Sequence, residues 1–499
     1  VSSSPAVSAP RFALQRVRAL GIGTGLLLLA LTPFAGADES AAILADRSAG
    51  ARAAAKRGAA QARFAKASKA RLLSIAERLG RPRAATRFRA LSDIRLGGAR
   101  FVPPLIAGLE SPNGYLVRYS IVALSELKNR AATPALLKLF ADPRTTPADR
   151  FYALAAAACA PLPEQSPRLW TVALGDPVER IRRAAEVALI RLHQEALPGL
   201  LAPRCAGEGP QAEQARGFLA RLFARQGRQA PGPKALFDWV KSEPAKGLFE
   251  APLVRSIDGD GYLCLTDIED EAEVRRLGMR VVRFRRALSR WLRPGIRREW
   301  TSRLRLFARR RDFDDYGATH EFNFIFFEEF YYSALLREIV SFKVPSPALM
   351  QRRLQHETAH DVLESQGIQA PPWLGEGICE LFEVSTLKDG SVGRPPLNHQ
   401  WVRVAQTELK AGRLPSLSAL VSLDSKSFYG GASRANYAAA WSFLHFLVRR
   451  QGRSGAGVVR RIISSLLAGD KDPAGRVLRA SNAPGVLEPL WHRHIRSLR

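Results

Sequence analysis

Large apolar residues between positions 271 and 292 fall at Val274, Leu277, Val281, Phe284, Leu288 and Trp291. This alternating three- and four-residue spacing puts one apolar stripe on an α-helix. Around that helix the period drops to two. Gly261-Tyr262-Leu263-Cys264-Leu265-Thr266, residues 303–307, residues 322–327 and residues 338–344 are short apolar or alternating runs and predict strands. The half of the chain from 255 to 499 is therefore expected to be α+β. Upstream, from about residue 83 to residue 229, the pattern is helical and it repeats. Arg118, Arg150 and Arg182 lie 32 residues apart; Ile121, Ala153 and Ala185 follow them at +3, and Ala123, Ala155 and Val187 at +5. A period of this size marks stacked helical units, each burying its apolar face against its neighbours. In one unit, residues 117–127 predict a first helix, and Thr133 is expected to cap a second whose first turn carries Pro134.

The repeat resembles HEAT repeats, most closely at Asp176-Pro177-Val178-Glu179-Arg180-Ile181-Arg182-Arg183-Ala184-Ala185. The expected organisation is multi-domain: an all-α HEAT-like solenoid over residues 83–229, then a Gly/Pro linker over 230–254, then the α+β domain over 255–499. Residues 38–82, rich in Ala and Arg, predict a helical spacer. Residues 1–37 have the order of a secretory signal peptide: Arg11, Arg16 and Arg18, an uncharged apolar stretch, and Ala35-Gly36-Ala37 before Asp38. Export to the periplasm, cell envelope or exterior is the expectation, with no transmembrane span in the mature chain.

Composition narrows the class. With 46% hydrophobic and 24% charged residues the chain is too apolar to be disordered. Four cysteines without a CxxC pair exclude a disulfide framework and a zinc ribbon. The net charge of +29 raises nucleic acid as a partner, and 15 Arg crowd positions 275–311 with Glu299 the lone acid. No RNA- or DNA-binding signature accompanies them. A solvated face of snorkelling Arg stems is the simpler reading, and it argues against a nucleic-acid groove.

The chemistry centres on His356-Glu357-Thr358-Ala359-His360. On a helix, positions i and i+4 share a face, so His356 and His360 can both reach one Zn²⁺, with Glu357 beside its water as general base. Ser346 is a plausible N-cap for that helix, Pro347 fits its first turn and Gly367 ends it. A catalytic zinc needs a third protein ligand and an open position. Glu376, in Trp373-Leu374-Gly375-Glu376-Gly377 at the start of a second helix, suits that place. Cys379 reads as a small buried residue. His445 reads as a core histidine, His492 and His494 as surface residues.

HExxH followed by W-L-x-E-G resembles the gluzincin zinc metallopeptidases, and in particular a bacterial domain family of unknown function in the peptidase MA-like superfamily. Weaker likeness continues through Leu414-Pro415-Ser416-Leu417, Tyr437-Ala438-Ala439-Ala440-Trp441 and Leu487-Glu488-Pro489-Leu490-Trp491. The resemblance implies a zincin-like fold, Zn²⁺ as cofactor, His356, His360 and Glu376 as ligands, and Glu357 as catalytic base. Glu380 or Asp361 would orient a ligand histidine, and Tyr437, or else Tyr429, would donate to the oxyanion. The G-x-M-E-N motif of the aminopeptidase branch is absent. The implied activity is hydrolysis of a peptide or protein substrate, with the HEAT-like domain holding substrate or a protein partner. The competing expectation is a non-catalytic envelope interaction protein with a peptidase-like fold.

Overall fold

The computed structural model describes residues 36–193, 196–224, 255–292, 300–320, 329–388, 390–393, 395–450, 452–470, 472 and 483–499. The linker expected at 230–254, the strand expected at 322–327 and all but the end of the expected signal peptide lie outside the described residues. The chain divides into two compact units, residues 1–42 and residues 43–499; the contacts below all lie within the second. Among the described residues no helix is long and apolar enough to cross a membrane.

The described chain begins with helices: α1 (Gly36–Ala65), α2 (Lys69–Glu77), α3 (Ala84–Gly97), α4 (Val102–Gly108), α5 (Gly114–Leu127), α6 (Thr133–Ala141), α7 (Pro147–Ala158), α8 (Ser166–Gly175), α9 (Glu179–His193), α10 (Leu197–Cys205) and α11 (Pro210–Ala224). Helix α5 packs on α7 and α7 on α9, while α6 and α8 each pack on the helix that follows. Ile121, Ala153 and Ala185 are fully buried at these contacts, as the 32-residue period requires. At the +5 position Ala123 and Ala155 are buried but Val187 is only half-buried, so the period weakens in the third unit.

Two of the recurring arginines clamp successive units, and two bond the turn before their own helix. Arg118 Nε donates to Asp149 Oδ1 at 2.8 Å and Arg150 Nη2 to Asp176 Oδ2 at 2.9 Å. Arg182 Nη1 donates to the Asp176 carbonyl at 2.7 Å. Arg87 makes the same bond, to the Arg81 carbonyl at 2.7 Å, which extends the pattern back to α3. Thr133 does not cap α6: the helix starts from Ala132, and Thr133 Oγ1 donates to the Ala160 carbonyl at 2.8 Å, joining α6 to the end of α7. The segment expected as a spacer is packed too. Phe64, Leu72 and Ile75 enter the helical core, and the buried Asp46 carboxylate accepts from Tyr262 Oη at 2.7 Å and from Arg275 Nη1 at 2.9 Å.

The mixed part begins with β1 (Arg255–Gly259), β2 (Tyr262–Thr266), α12 (Glu271–Leu292), β3 (Ser302–Phe307), α13 (Arg310–His320), β4 (Phe330–Ser333) and β5 (Glu338–Phe342). The sheet order is β1-β2-β3-β5-β4; β2, β3 and β5 run parallel, and β1 and β4 are antiparallel edges. The β1–β2 turn uses Gly261 at φ +87°, a conformation L side chains avoid. Next come α14 (Pro347–Ser365), α15 (Pro372–Phe382) and the small hairpin β6 (Leu387–Lys388) and β7 (Ser391–Val392). The chain closes with α16 (His399–Lys410), α17 (Leu417–Ser422), α18 (Ser425–Phe428), α19 (Ser433–Arg450), α20 (Gly452–Leu467) and α21 (Ala483–Ser497).

Helix α14 packs on β4, β5 and α12 on one side and on α15 on the other. Ser346 caps it, accepting from the Leu349 amide at 3.2 Å, and Gly367 at φ +74° follows its end. Helix α15 in turn lies against α19, where a Cβ on Gly377 would stand 3.0 Å from the Ala440 carbonyl oxygen and 2.8 Å from a Leu444 methyl. Only glycine permits that approach.

The basic run is only in part the solvated face that its composition suggests: Arg280, Arg283, Arg290 and Arg309 are exposed, but others turn inward. Arg285 is fully buried and donates to the Gly261 carbonyl and to Ser302 Oγ, both at 2.9 Å. On β3 the period of two turns Arg303 and Arg305 to one face, where both reach the buried Glu338 carboxylate, at 2.6 and 2.8 Å, alongside Tyr316 Oη at 3.0 Å. Arg303 also lies 3.4 Å from Glu126 of α5, which Arg95 of α3 holds at 2.5 Å. The network thus ties helical units to the sheet.

Burial raises the Glu338 pKa, but Arg305 and Arg303 outweigh it and hold the carboxyl below its ordinary 4.5. Its stabilising contribution is therefore complete above about pH 4.5 and is lost as the pH falls towards the depressed value. Glu338→Gln should cost about 3–5 kcal/mol at pH 7 by leaving buried guanidiniums uncompensated. Denaturant unfolding of the two proteins should converge on acidification; a difference that stayed constant from pH 7 to pH 3 would contradict this role.

Candidate metal centre

His356, Glu357 and His360 sit on α14, and Glu376 and Glu380 on the facing surface of α15, with Glu383 just past its end. The 4,3 spacing of the three glutamates puts them on one stripe, as the i, i+4 spacing does for the histidines. His356 Nε2 lies 3.4 Å and His360 Nε2 3.6 Å from the same atom, Glu376 Oε2. That oxygen is buried and, among the described residues, has no hydrogen-bond partner. Two ligand atoms each roughly 2.0–2.1 Å from a tetrahedral zinc stand about 3.3 Å apart, so both histidine–Glu376 separations are close to those of a shared coordination shell. The residues therefore fit a divalent cation.

The surroundings hold the trio in place. Tyr429 Oη donates to the other Glu376 oxygen at 2.7 Å. On the far side of the ring, His356 Nδ1 faces Glu383 Oε2 at 3.6 Å and Glu380 Oε1 at 3.7 Å. Glu383 is fixed by Arg352 at 2.6 Å and Asn398 at 2.8 Å, and Glu380 by the Trp401 indole N–H. His360 stacks with Tyr332 of the edge strand β4, ring centres 6.4 Å apart. Most of the cluster is buried; His360 and half-exposed Tyr429 are where solvent reaches it.

The electrostatics are one-sided. Burial opposes protonation of His356, but Glu357, Glu376, Glu383 and Glu380 overcome it and lift its pKa well above 6.5; Glu376 does the same for His360. Glu376 is pulled down, burial being outweighed by the two imidazoles. Burial pushes Glu380 up to about 7 while Glu383, with burial offset by His356 and Arg352, falls to about 2. Four carboxylates around two imidazoles attract positive charge, supplied by protons or by a metal ion.

The structure thus brings His356, His360 and Glu376 together and keeps Glu357 on the same buried turn. Of the two candidate tyrosines, Tyr429 is bonded to Glu376, while Tyr437 packs its ring between Trp401 at 5.9 Å and Tyr429 at 6.2 Å. Of the two candidate orienting acids, Glu380 faces His356. Asp361 is turned elsewhere, accepting from Ser302 Oγ at 2.6 Å and Trp300 Nε1 at 2.9 Å. Three participants escaped the sequence reading. Glu383 was signalled by its spacing from Glu376 and Glu380, whereas Trp401 and Tyr332 come from other elements and carried no signal. Cys379 is buried as expected, yet its sulfur lies within 4.8 Å of ligand nitrogens of both His356 and His360, and burial pushes its thiol pKa up. His445 is a core residue, stacked on Trp441. His494 is not a surface residue: it is buried, with Nε2 2.9 Å from His445 Nδ1.

Residues 352–463 match the model of a family described as a protein of unknown function (DUF1570). The matched stretch contains His356, Glu357, His360, Glu376 and both tyrosines. No curated protein matches the chain.

The raised histidines and the raised Glu380 act in one direction. Each binds more proton in the folded than in the unfolded protein, so the stability it adds, or the penalty it avoids, is lost as pH rises. In chelator-treated protein the unfolding midpoint should fall as the pH goes from about 6.5 to 9, and one equivalent of Zn²⁺ should remove most of that dependence. A flat profile in the metal-free protein would show that these groups are not its counter-charge.

Proposed function

We propose that this protein is an exported zinc metallopeptidase of the gluzincin type, acting on peptide or protein substrates. The observation that carries the reading is the convergence of both histidine Nε2 atoms on the unpartnered Glu376 Oε2 beside a buried Glu357. His356, His360 and Glu376 would hold the zinc ion. A bound zinc would supply Lewis acidity, polarising the scissile carbonyl and making a water acidic enough to attack at neutral pH.

The chain's own groups do the rest. Glu357 accepts the proton of the attacking water and returns it to the leaving amine. Tyr429 steadies Glu376 and is the better placed hydroxyl to donate to the oxyanion, with Tyr437 behind it in the same aromatic cluster. Glu380 and Glu383 face His356 Nδ1 at 3.7 and 3.6 Å, and their charge favours the ring orientation that keeps Nε2 aimed at the metal. The helical units are read as HEAT-like and as the part that holds substrate or a protein partner. Nucleic acid is not proposed as a partner: no binding signature accompanies the basic run, and Arg285, Arg303 and Arg305 of it are engaged internally. Export rests on the pattern of residues 1–37. The non-catalytic alternative has no use for an ionisable carboxylate at Glu357.

Glu357→Gln should leave zinc content and folding intact and lower peptide hydrolysis at least about 100-fold. His356→Ala should lose both metal and activity. Zinc analysis and peptide-cleavage rates of the three proteins check this; wild-type cleavage by Glu357→Gln would overturn the enzymatic reading.

A further inference from the structure

Cys379 occupies the same stripe of α15 as Glu376, Glu380 and Glu383. A helical cysteine turned to the interior ordinarily acts as a small hydrophobe among apolar neighbours. This one is fully buried at the border between the apolar core and the carboxylate–imidazole cluster, its sulfur within 4.8 Å of ligand nitrogens of both His356 and His360. The cluster bears an independent mark of a cation site: the Glu376 carboxylate, 4% exposed, directs at both imidazoles an oxygen that has no hydrogen-bond partner among the described residues. A tetrahedral cation with Zn–S of about 2.3 Å and Zn–N of about 2.0–2.1 Å separates sulfur from nitrogen by about 3.6 Å, so a side-chain adjustment on the order of 1 Å suffices.

We propose that Cys379 is a fourth, sulfur ligand, which closes the coordination shell of His356, His360 and Glu376 and gives the centre a latent state for thiophilic divalent cations. The inference rests on the reading of those three residues as ligands and adds a residue that the peptidase mechanism does not use. Closure is a ligand exchange without redox change. The S–H bond breaks heterolytically and its proton leaves to solvent; the sulfur lone pair takes the position otherwise held by water, and that water is released. A site of His, His, Glu and Cys lacks the open position that hydrolysis requires, so the thiolate-bound form is inactive. Because thiolates select softer metals, cadmium should favour this closed form more strongly than zinc.

Cobalt separates this inference from the site on which it rests. Chelator-treated full-length protein is loaded with one equivalent of Co²⁺ and its absorption recorded. Visible ligand-field bands report occupancy of the histidine–glutamate site, and a near-ultraviolet sulfur-to-cobalt charge-transfer band reports the thiolate. Wild type should show both. Cys379→Ala and Cys379→Ser, two small replacements so that one misfolded variant does not decide the matter, should keep the visible bands and lose the charge-transfer band. Their Cd²⁺ affinity should fall about tenfold or more, and their Zn²⁺ affinity less, as expected for removal of a soft ligand. Visible bands without a charge-transfer band in wild type, or a charge-transfer band that survives in both variants, would overturn the assignment of Cys379 alone. Absence of both bands in wild type would overturn the metal site and the sulfur ligand with it.

Discussion

Four carboxylates, Glu357, Glu376, Glu380 and Glu383, are buried together where α14 meets α15. Desolvating even one ionised carboxylate is costly unless its charge is met, and much of the surrounding architecture is understandable as the means of meeting it. Arg352 and Asn398 hold Glu383, Trp401 holds Glu380, and Tyr429 holds Glu376. The two imidazoles carry the remaining compensation, and they carry it at the edge turned towards Glu376. A pocket balanced in this way is stable with protons on its histidines and equally suited to a divalent cation in their place. That interchange links its stability to its chemistry.

Precision at this point depends on contacts outside it. The glycine at position 377 lets α15 come down on α19, which fixes the height of Glu376 against the histidines. On the other side α14 rests on β4 and β5, so the sheet sets the height of the histidines, and Tyr332 of β4 stacks on His360 itself. The sheet is in turn bound to the helical units through Glu338, Arg303, Glu126 and Arg95. A second link runs through Arg337, whose guanidinium lies 4.3 Å from the centre of the Phe88 ring of α3 and 3.9 Å from Asp361, one residue after His360. The helical units and the candidate centre are parts of one packed body. Several arginines of the basic run, Arg275, Arg285, Arg303 and Arg305 among them, are engaged inside it.

Local chemistry made much of this legible in advance. The 3,4 spacing of apolar residues identifies α12, and Ser346, Pro347 and Gly367 bracket α14, because caps and helix periodicity act over a few residues. The i, i+4 histidines and the first-turn Glu376 are legible for the same reason: helix geometry alone puts them on defined faces. The recurrence of Arg118 and Arg150 reflects an arginine–aspartate contact repeated at two stacking steps, so a period in sequence became a period in space.

Sequence alone determined which residue types share a helix face, and hence that His356, His360 and a nearby carboxylate can serve one cation; those relations are set by the 3.6-residue turn. It did not determine which faces meet. The edge strand β4, the approach of Trp401 and Tyr332, the choice of Glu380 over Asp361 to face His356, and the contact of Cys379 with the histidines all join elements distant in sequence. Arg285 and Arg303 look like surface charges in a basic run until the sheet forms around them. Burial, and with it the shifted proton affinities on which the chemistry depends, is a property of the assembled core, where the dielectric and the neighbouring charges of each group are decided by tertiary packing.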